Sequence, residues 1–357
     1  MITLSSPEIK MLFQSSIIGK KKKNSSMSNV SFLNILKWHY KYFLDFKYLF
    51  NTSFSTLSIC TSDRVVEKNG KIISRVLWDR LDNDDNLHIE VCKLDSHSEL
   101  IQKKNVISGS IFILWYALTS PFIFFHLFRY ANKDLFIKKH IFKYLSNYIL
   151  AKYAFKSIKK VYIVNSVPYY GLIRGFKERG VEVIELQHGI IHDKHHGYFN
   201  KWVNSDSLPD ELITFDKITY DLMIKSCFSN YVKIKYSQRD NLLSNYKKTS
   251  KQFDFAIIDT DSHRKELIQY ANNLSIKGFK VIYCLKNEIE IDSLYEQVEK
   301  SIANTYNTIL NSNLVLGTTS TIILECYNSD VPVKVFDTHS QDFWHNYGFI
   351  IEIFESK

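Results

Sequence analysis

No two cysteines in this sequence are spaced as CxxC: Cys60, Cys92, Cys227, Cys284 and Cys326 are scattered singly over 357 residues. An odd, dispersed count in a chain of this size points to reduced thiols and a cytoplasmic address rather than a disulfide framework. Four of the five sit beside apolar or aromatic neighbours and read as buried filler. Zinc-finger spacing, an RNP-like aromatic motif and a long basic arm are also missing, so nucleic acid is not expected as a partner. Neither a solenoid repeat nor a collagen-like or low-complexity tract is present. A secretory signal is missing as well: the apolar run from Met11 to Ile18 is short, and Lys20 to Lys23 follow it instead of preceding it. Residues 1–26 read as a disordered extension, with Met27 as an alternative start.

What is present is a globular composition, 45% hydrophobic and 23% charged, long enough for two domains. The net charge of +9 suits anionic partners: nucleotide phosphates, a lipid-linked molecule or a membrane face. Two segments bear on the membrane. Phe32, Ile35, Leu36, Phe43 and Phe46 recur at helical spacing with Lys37, Lys41 and Lys47 among them. That stripe suits core packing or peripheral contact at the inner face of the plasma membrane. The stretch from Ile107 to Phe128 approaches the ~20 apolar residues of a span, but Thr119-Ser120-Pro121 interrupts it. A buried, kinked or broken helix is the preferred reading.

The first ~50 residues read helical by their apolar spacing. Ser55 to Thr61 reads as a strand ending in Ser62-Asp63-Arg64, Lys68-Asn69-Gly70-Lys71 as a tight turn, and Ile72 to Trp78 as a second strand. Asp134 to Ile158 reads as a long helix. From there strand and helix alternate: Val161 to Val164, then Tyr170 to Arg179 stopped by Gly180, then Val181 to Leu186. Leu212 to Phe215 and Tyr231 to Ile234 add two strands. The sequence turns polar between Gln238 and Gln252, which marks a boundary between domains at 27–245 and 250–357. A second series follows. Phe253 to Asp259, Lys280 to Leu285, Leu314 to Gly317 and Val331 to Phe336 are strands. His263 to Lys277, Leu294 to Leu310 and Ser320 to Asn328 are helices. Strands joined by single helices imply parallel sheets, hence an α/β protein of two Rossmann-like domains with a central cleft.

Ligands of such sheets bind beyond the carboxyl ends of strands, and two motifs lie there. The first is Gln187-His188-Gly189, which continues through His192, Asp193, His195 and His196 to Tyr198. Gly189 would let the backbone approach a ligand closely, and a histidine there could act as a general base near neutral pH. Three readings fit these residues. They could form a polar surface loop, an acceptor-side catalytic loop, or a metal site using His188, His192 and His196 at four-residue spacing. The second motif is Gly317-Thr318-Thr319-Ser320-Thr321 followed by Glu325. Hydroxyl residues between strand and helix cap the helix and, with its first N–H groups, suit a diphosphate. Glu325 is placed to accept hydrogen bonds from ribose hydroxyls. An ordinary capped helix with a solvated glutamate fits the same residues.

Taken in order, QHG followed by H-G-Y, then G-x-x-S-T-x-x-x-E and a proline, the chain resembles bacterial capsule and O-antigen glycosyltransferases of GT-B fold. These include the Kdo and sialic-acid transferases and the teichoic-acid-type polymerases. The resemblance covers about Val161 to Asp337 and loosely Asp63 to Asp79. It implies that Gly317 to Thr321 hold the phosphate of a nucleotide-sugar donor and Glu325 its ribose. It places His188 in the catalytic cleft, with Asp63 and Asp193 as alternatives. Gln187, Gly189, His192, His196 and Tyr198 would then face a saccharide or lipid-linked saccharide acceptor. No metal and no cofactor beyond the nucleotide-sugar co-substrate is implied. The family's Lys-x-His-Pro element is replaced: Lys286 and Asn287 stand where His and Pro are expected. Lys286 supplies positive charge without imidazole geometry. A catalytically decayed partner in polysaccharide assembly and a metal-dependent hydrolase are the alternatives.

Overall fold

Strand pairing turns the alternation into two parallel sheets. The structure, a computed structural model, describes residues 47–50, 53–61, 65–68, 71–74, 85–91, 106–127, 135–191, 193, 195, 197–199, 205–237, 243, 250–260, 263–285, 293–301, 305–318, 321–336 and 350–352. The helical reading of the first ~50 residues falls almost wholly outside them. The chain folds into two compact units. The first comprises residues to 188 with 194–214 and 220–236. The second comprises 189–193, 215–219 and 237 onward.

In the first unit, strands β1 (Thr56–Thr61), β4 (Asn86–Val91), β5 (Val106–Ser108), β6 (Lys160–Val164), β7 (Glu182–Leu186), β8 (Glu211–Thr214) and β9 (Lys233–Tyr236) form one sheet. Their order is β5-β4-β1-β6-β7-β8-β9, every pair parallel. The chain therefore starts in the middle, builds outward to one edge, then returns to build the other half. That is the doubly wound order, with a reversal between β1 and β6. Leu57 and Ile59 pair with Val161 and Ile163 across it, and all four are buried. A separate hairpin, β2 (Val65–Lys68) with β3 (Lys71–Ser74), agrees with the turn expected at Asn69-Gly70, residues outside the described set.

The segment around Pro121 is one continuous helix, α1 (Ser110–Leu127), and it is neither broken nor buried all round. Proline lacks the N–H that would bond the Ala117 carbonyl. The Ser120 hydroxyl donates to that carbonyl instead at 2.8 Å, while the Thr119 hydroxyl turns back onto the Trp115 carbonyl of its own helix. Ser120, which looked like part of the break, thus supplies the donor that Pro121 lacks. Among the described residues, no helix is long and apolar enough to cross a membrane. Helix α2 (Leu135–Tyr153) packs beside α1, with the Trp115 indole donating to the Ser146 carbonyl and the Tyr116 hydroxyl to Asn147. Helix α3 (Tyr170–Lys177) then lies on α2 through Gly171 and Gly175. The Arg179 guanidinium donates to the carbonyls of Ala151, Ala154, Phe155 and Lys156, satisfying orphan groups where α2 ends. A short helix, α4 (Lys217–Ile224), links β8 to β9.

The second unit repeats the plan. Strands β10 (Phe253–Ile258), β11 (Val281–Cys284), β12 (Glu299–Ser301), β13 (Ser312–Gly317), β14 (Val333–Phe336) and β15 (Ile350–Glu352) lie in the order β12-β11-β10-β13-β14-β15, all parallel. Helices α5 (Arg264–Ile276), α6 (Thr305–Leu310) and α7 (Thr321–Tyr327) connect them. Ile257, Leu267, Ala271, Val281, Tyr283 and Leu316 are at the centre of its core. Gly180 and Gly278 stop α3 and α5 with φ of 73° and 86°, as their positions after the last helical turn require.

One helix departs from expectation. Leu294 to Leu310 contains strand β12 and only a short helix, α6. Ile282 to Cys284 recruits Glu299 to Ser301 as an edge strand, so tertiary pairing overrides the local apolar spacing. Strands β4 and β5, by contrast, went unread in the sequence. Of the thiols, Cys60, Cys284 and Cys326 are buried as expected, whereas Cys227 is exposed; Cys92 is outside the described residues.

Candidate functional site

The reversal point of the second sheet lies between β10 and β13. Two loops diverge there, which leaves the carboxyl ends of both strands open to a ligand. Asp259 and Thr260 follow β10, and Thr318 follows β13. The hydroxyls of Thr260 and Thr318 meet at 2.7 Å across that point. Behind them the Asp259 carboxylate is enclosed. Arg264 grips both of its oxygens, Nε at 2.9 and 3.1 Å and Nη2 at 2.6 Å, and the Tyr283 hydroxyl donates at 3.0 Å. Burial first, and then the Asp259 carboxylate, push the Tyr283 phenol up, so it stays a neutral donor. This arrangement locks the loop carrying Thr260 to the first turn of α5.

Gly317 ends β13 because α7 turns back close to it. A Cβ there would stand 2.9 Å from Ile323 Cδ1 and 3.3 Å from Ile258 Cβ. Helix α7 then directs Glu325 inward, where it is buried and its Oε2 accepts from the Tyr306 hydroxyl at 2.8 Å. Glu325 is thus an anchored carboxylate, not a solvated one. Thr321 opens α7, but its side chain and Thr319, Ser320 and Lys286 lie outside what the structure describes.

In the first unit the reversal falls between β1 and β6. Asp63, just past β1, is outside the described residues. Beyond β6, Asn165 takes a left-handed φ of 69° and its side chain accepts from the Val167 N–H at 3.3 Å. That turn aims the Ser166 N–H at Glu185 Oε1, 2.9 Å away. Glu185 lies on the interior strand β7 and is fully buried. The Tyr198 hydroxyl donates to the same oxygen at 2.6 Å, and Oε2 meets no hydrogen-bond partner among the described residues. Burial pushes the Glu185 carboxyl up, opposed by the bonds from Tyr198 and Ser166. Burial, with Glu185 nearby, also raises the Tyr170 phenol.

The histidine-rich loop is therefore anchored from below. Tyr198 is enclosed, its ring against Phe228 and against His195 at 4.8 Å, so it holds the loop and offers no surface for an acceptor. The Gly197 N–H donates to His195 Nδ1 at 3.2 Å. Gln187 continues β7, its N–H bonded to the Ile213 carbonyl, and is buried. His188 and Gly189 are half-buried and Asp193 is exposed, whereas His192 and His196 are outside the described residues. Among the described residues no group of three or more ligating side chains is placed to hold a metal.

Sequence reasoning missed Glu185, Ser166, Asp259, Thr260 and Arg264. Acidic residues at or near strand ends, in runs that read only as apolar strands, were the available signal.

Glu185 carries a pH prediction. Its pKa is raised in the fold, so the folded state holds the proton more tightly than the unfolded chain. Stability is full below the unfolded carboxyl range and falls as pH climbs from there towards the folded value. Glu185→Gln keeps the acceptor for Tyr198 and Ser166 but cannot ionise. Melting curves of both proteins from pH 4 to 8 are expected to diverge in the variant's favour as pH rises. A constant difference would show that the carboxyl is not held protonated.

No family model matches the sequence, and no curated protein matches it. Among solved structures, the chain is similar to UDP-N-acetylglucosamine 2-epimerase from Rickettsia bellii, at 12% identity over 84% of each chain, TM-score 0.47. It is similar to the spinosyn rhamnosyltransferase SpnG at 9% identity, over 82% of this chain and 84% of that one, TM-score 0.44. For UDP-GlcNAc 2-epimerase from Methanocaldococcus jannaschii the values are 7%, 84% and 88%, and 0.43. The assignment of two Rossmann-like units rests on the strand orders themselves.

Proposed function

We propose that this chain is a glycosyltransferase that moves a sugar from a nucleotide-activated donor to a saccharide acceptor in capsule or O-antigen synthesis. The observation that carries the reading is the hydroxyl pair of Thr260 and Thr318 at the reversal point of a six-stranded, doubly wound sheet. Dinucleotide and nucleotide phosphates bind at such points because diverging loops expose N–H and O–H donors there. In this reading Thr318, Thr319, Ser320 and Thr321 hold the donor phosphates, Lys286 adds positive charge, and buried Glu325 takes the ribose. Stabilising the departing phosphate is then the main chemical task, because charge develops on it as the sugar leaves. His188 serves as base towards the acceptor, with Asp63 and Asp193 as alternatives. Gln187, Gly189, His192 and His196 present the acceptor, with Tyr198 supporting them from beneath.

Thermal-shift titration against CMP-, UDP-, GDP- and CDP-sugars tests the donor assignment. A matched nucleotide at a hundred times its Kd adds about 2.7 kcal/mol of stability, so one series should raise the melting temperature by several degrees. Glu325→Ala is expected to weaken that nucleotide by roughly 10- to 100-fold, the worth of hydrogen bonds to a charged group. If no nucleotide shifts the transition, the donor site is not functional and the non-catalytic partner reading takes its place.

A further inference from the structure

Helix α1 is almost wholly apolar, yet the described residues cover only one side of it. Ile111, Phe112, Trp115 and Ile123 face the protein and are buried. The rest of its surface shows Ile113, Ala117, Leu118, Pro121, Phe122 and Phe124 to solvent, with Phe124, 59% exposed, bordering this open strip on one edge and Phe122, 74% exposed, on the other. Single exposed apolar residues are ordinary on a protein surface. A contiguous half-cylinder of them marks a surface meant for an apolar partner.

The surroundings say which partner. Helix α2 begins after the seven residues 128–134, and helices joined so closely run as antiparallel neighbours. Its first turns therefore lie at the same end of the pair as Phe122 and Phe124. Those turns carry Lys138, Lys139, His140 and Lys143, and neither helix contains an acidic residue. Burial and then the charges of Lys143 and Lys139 depress the His140 imidazole, and burial with Lys139 depresses Lys143. The lysines crowd one another, and the imidazole among them is driven towards its neutral form. A protein partner with an apolar groove would not require such a field; an anionic surface supplies its counter-charge.

We propose that the α1–α2 hairpin docks the protein on an anionic lipid bilayer, with the open apolar half of α1 that Phe122 and Phe124 border entering the interface and Lys138 and Lys139 meeting the headgroups. The helix lies in the surface and does not cross it, because its other side is committed to Trp115, Ile123 and their contacts. This inference is independent of the sugar-transfer reading.

Flotation of the full chain tests it, using vesicles of phosphatidylcholine alone and of phosphatidylcholine with an equal part of phosphatidylglycerol. The protein should float with the anionic vesicles, and added salt should release it. Phe122→Ser with Phe124→Ser replaces two side chains that are more exposed than buried, so the fold should melt nearly as before while vesicle binding falls about tenfold or more. Lys138→Ala with Lys139→Ala should weaken binding by roughly tenfold without touching the apolar face. Unchanged flotation of the phenylalanine variant, or equal binding to neutral vesicles, overturns the proposal. A dimer that the phenylalanine variant splits, with no flotation of either protein, overturns it in favour of self-association.

Discussion

Gly171→Ala is expected to lower the melting temperature by about 10 °C, the counterpart of roughly 3 kcal/mol in a unit of this size. A Cβ at residue 171 would stand 2.0 Å from the Tyr144 carbonyl oxygen and 2.8 Å from its carbon. Both are backbone atoms of α2, and no rotamer change can clear them. The helices must separate, and the separation propagates: Gly175, one turn on, would meet Tyr148 O at 2.6 Å and the Ala151 methyl at 2.8 Å. Gly180→Ala is the useful control. It sits in open space at φ 73°, so its cost is local backbone strain of about 1 kcal/mol. Equal losses for the two substitutions in calorimetry would mean that α2 and α3 do not approach so closely. The consequence for function is direct, because α3 springs from the turn of Asn165 and Ser166 that holds Glu185.

Arg264→Met is the second large effect, about 2–3 kcal/mol of destabilisation. The Asp259 side chain has no exposed surface, while Arg264 is 24% exposed. Removing the guanidinium leaves an enclosed carboxylate whose remaining side-chain donor among the described residues is Tyr283. The partial exposure of Arg264 lets water reach the gap, which keeps the loss below that of a fully buried pair. Combining it with Asp259→Leu should recover much of the stability, because no uncompensated charge then remains. The same double variant should still lose nucleotide binding, since Thr260 is no longer held against Thr318. Chemical denaturation of the two single variants and the pair measures the coupling. Simple additivity would show that Arg264 and Asp259 do not depend on each other.

Much of the secondary structure was legible. Strands β6, β7, β10, β11 and β13 are short apolar runs bounded by polar turns, and Gly180 and Gly278 mark the ends of α3 and α5. Where reading failed, a neighbour supplied what the local sequence lacked. β12 exists because β11 offers it a free edge, and its three residues carry no pattern of their own. Pro121 suggested a break, but the Ser120 hydroxyl takes the carbonyl it leaves without a donor and the helix continues. The glycine-threonine turn after β13 was visible as strand, turn and helix. Its companion Thr260 was not, since 58 residues separate the two hydroxyls.

From sequence alone came the alternation of strand and helix, the glycine stops and the two strand-end motifs. Each depends on contacts within a few residues, where propensity and periodicity act. Only the tertiary structure decided the strand order in each sheet, and with it which strand ends share a reversal point. It also buried Glu185 and Tyr198 together, paired Asp259 with Arg264, and left one side of α1 open. Those outcomes depend on which distant segments exclude water from one another, and no local pattern carries that information.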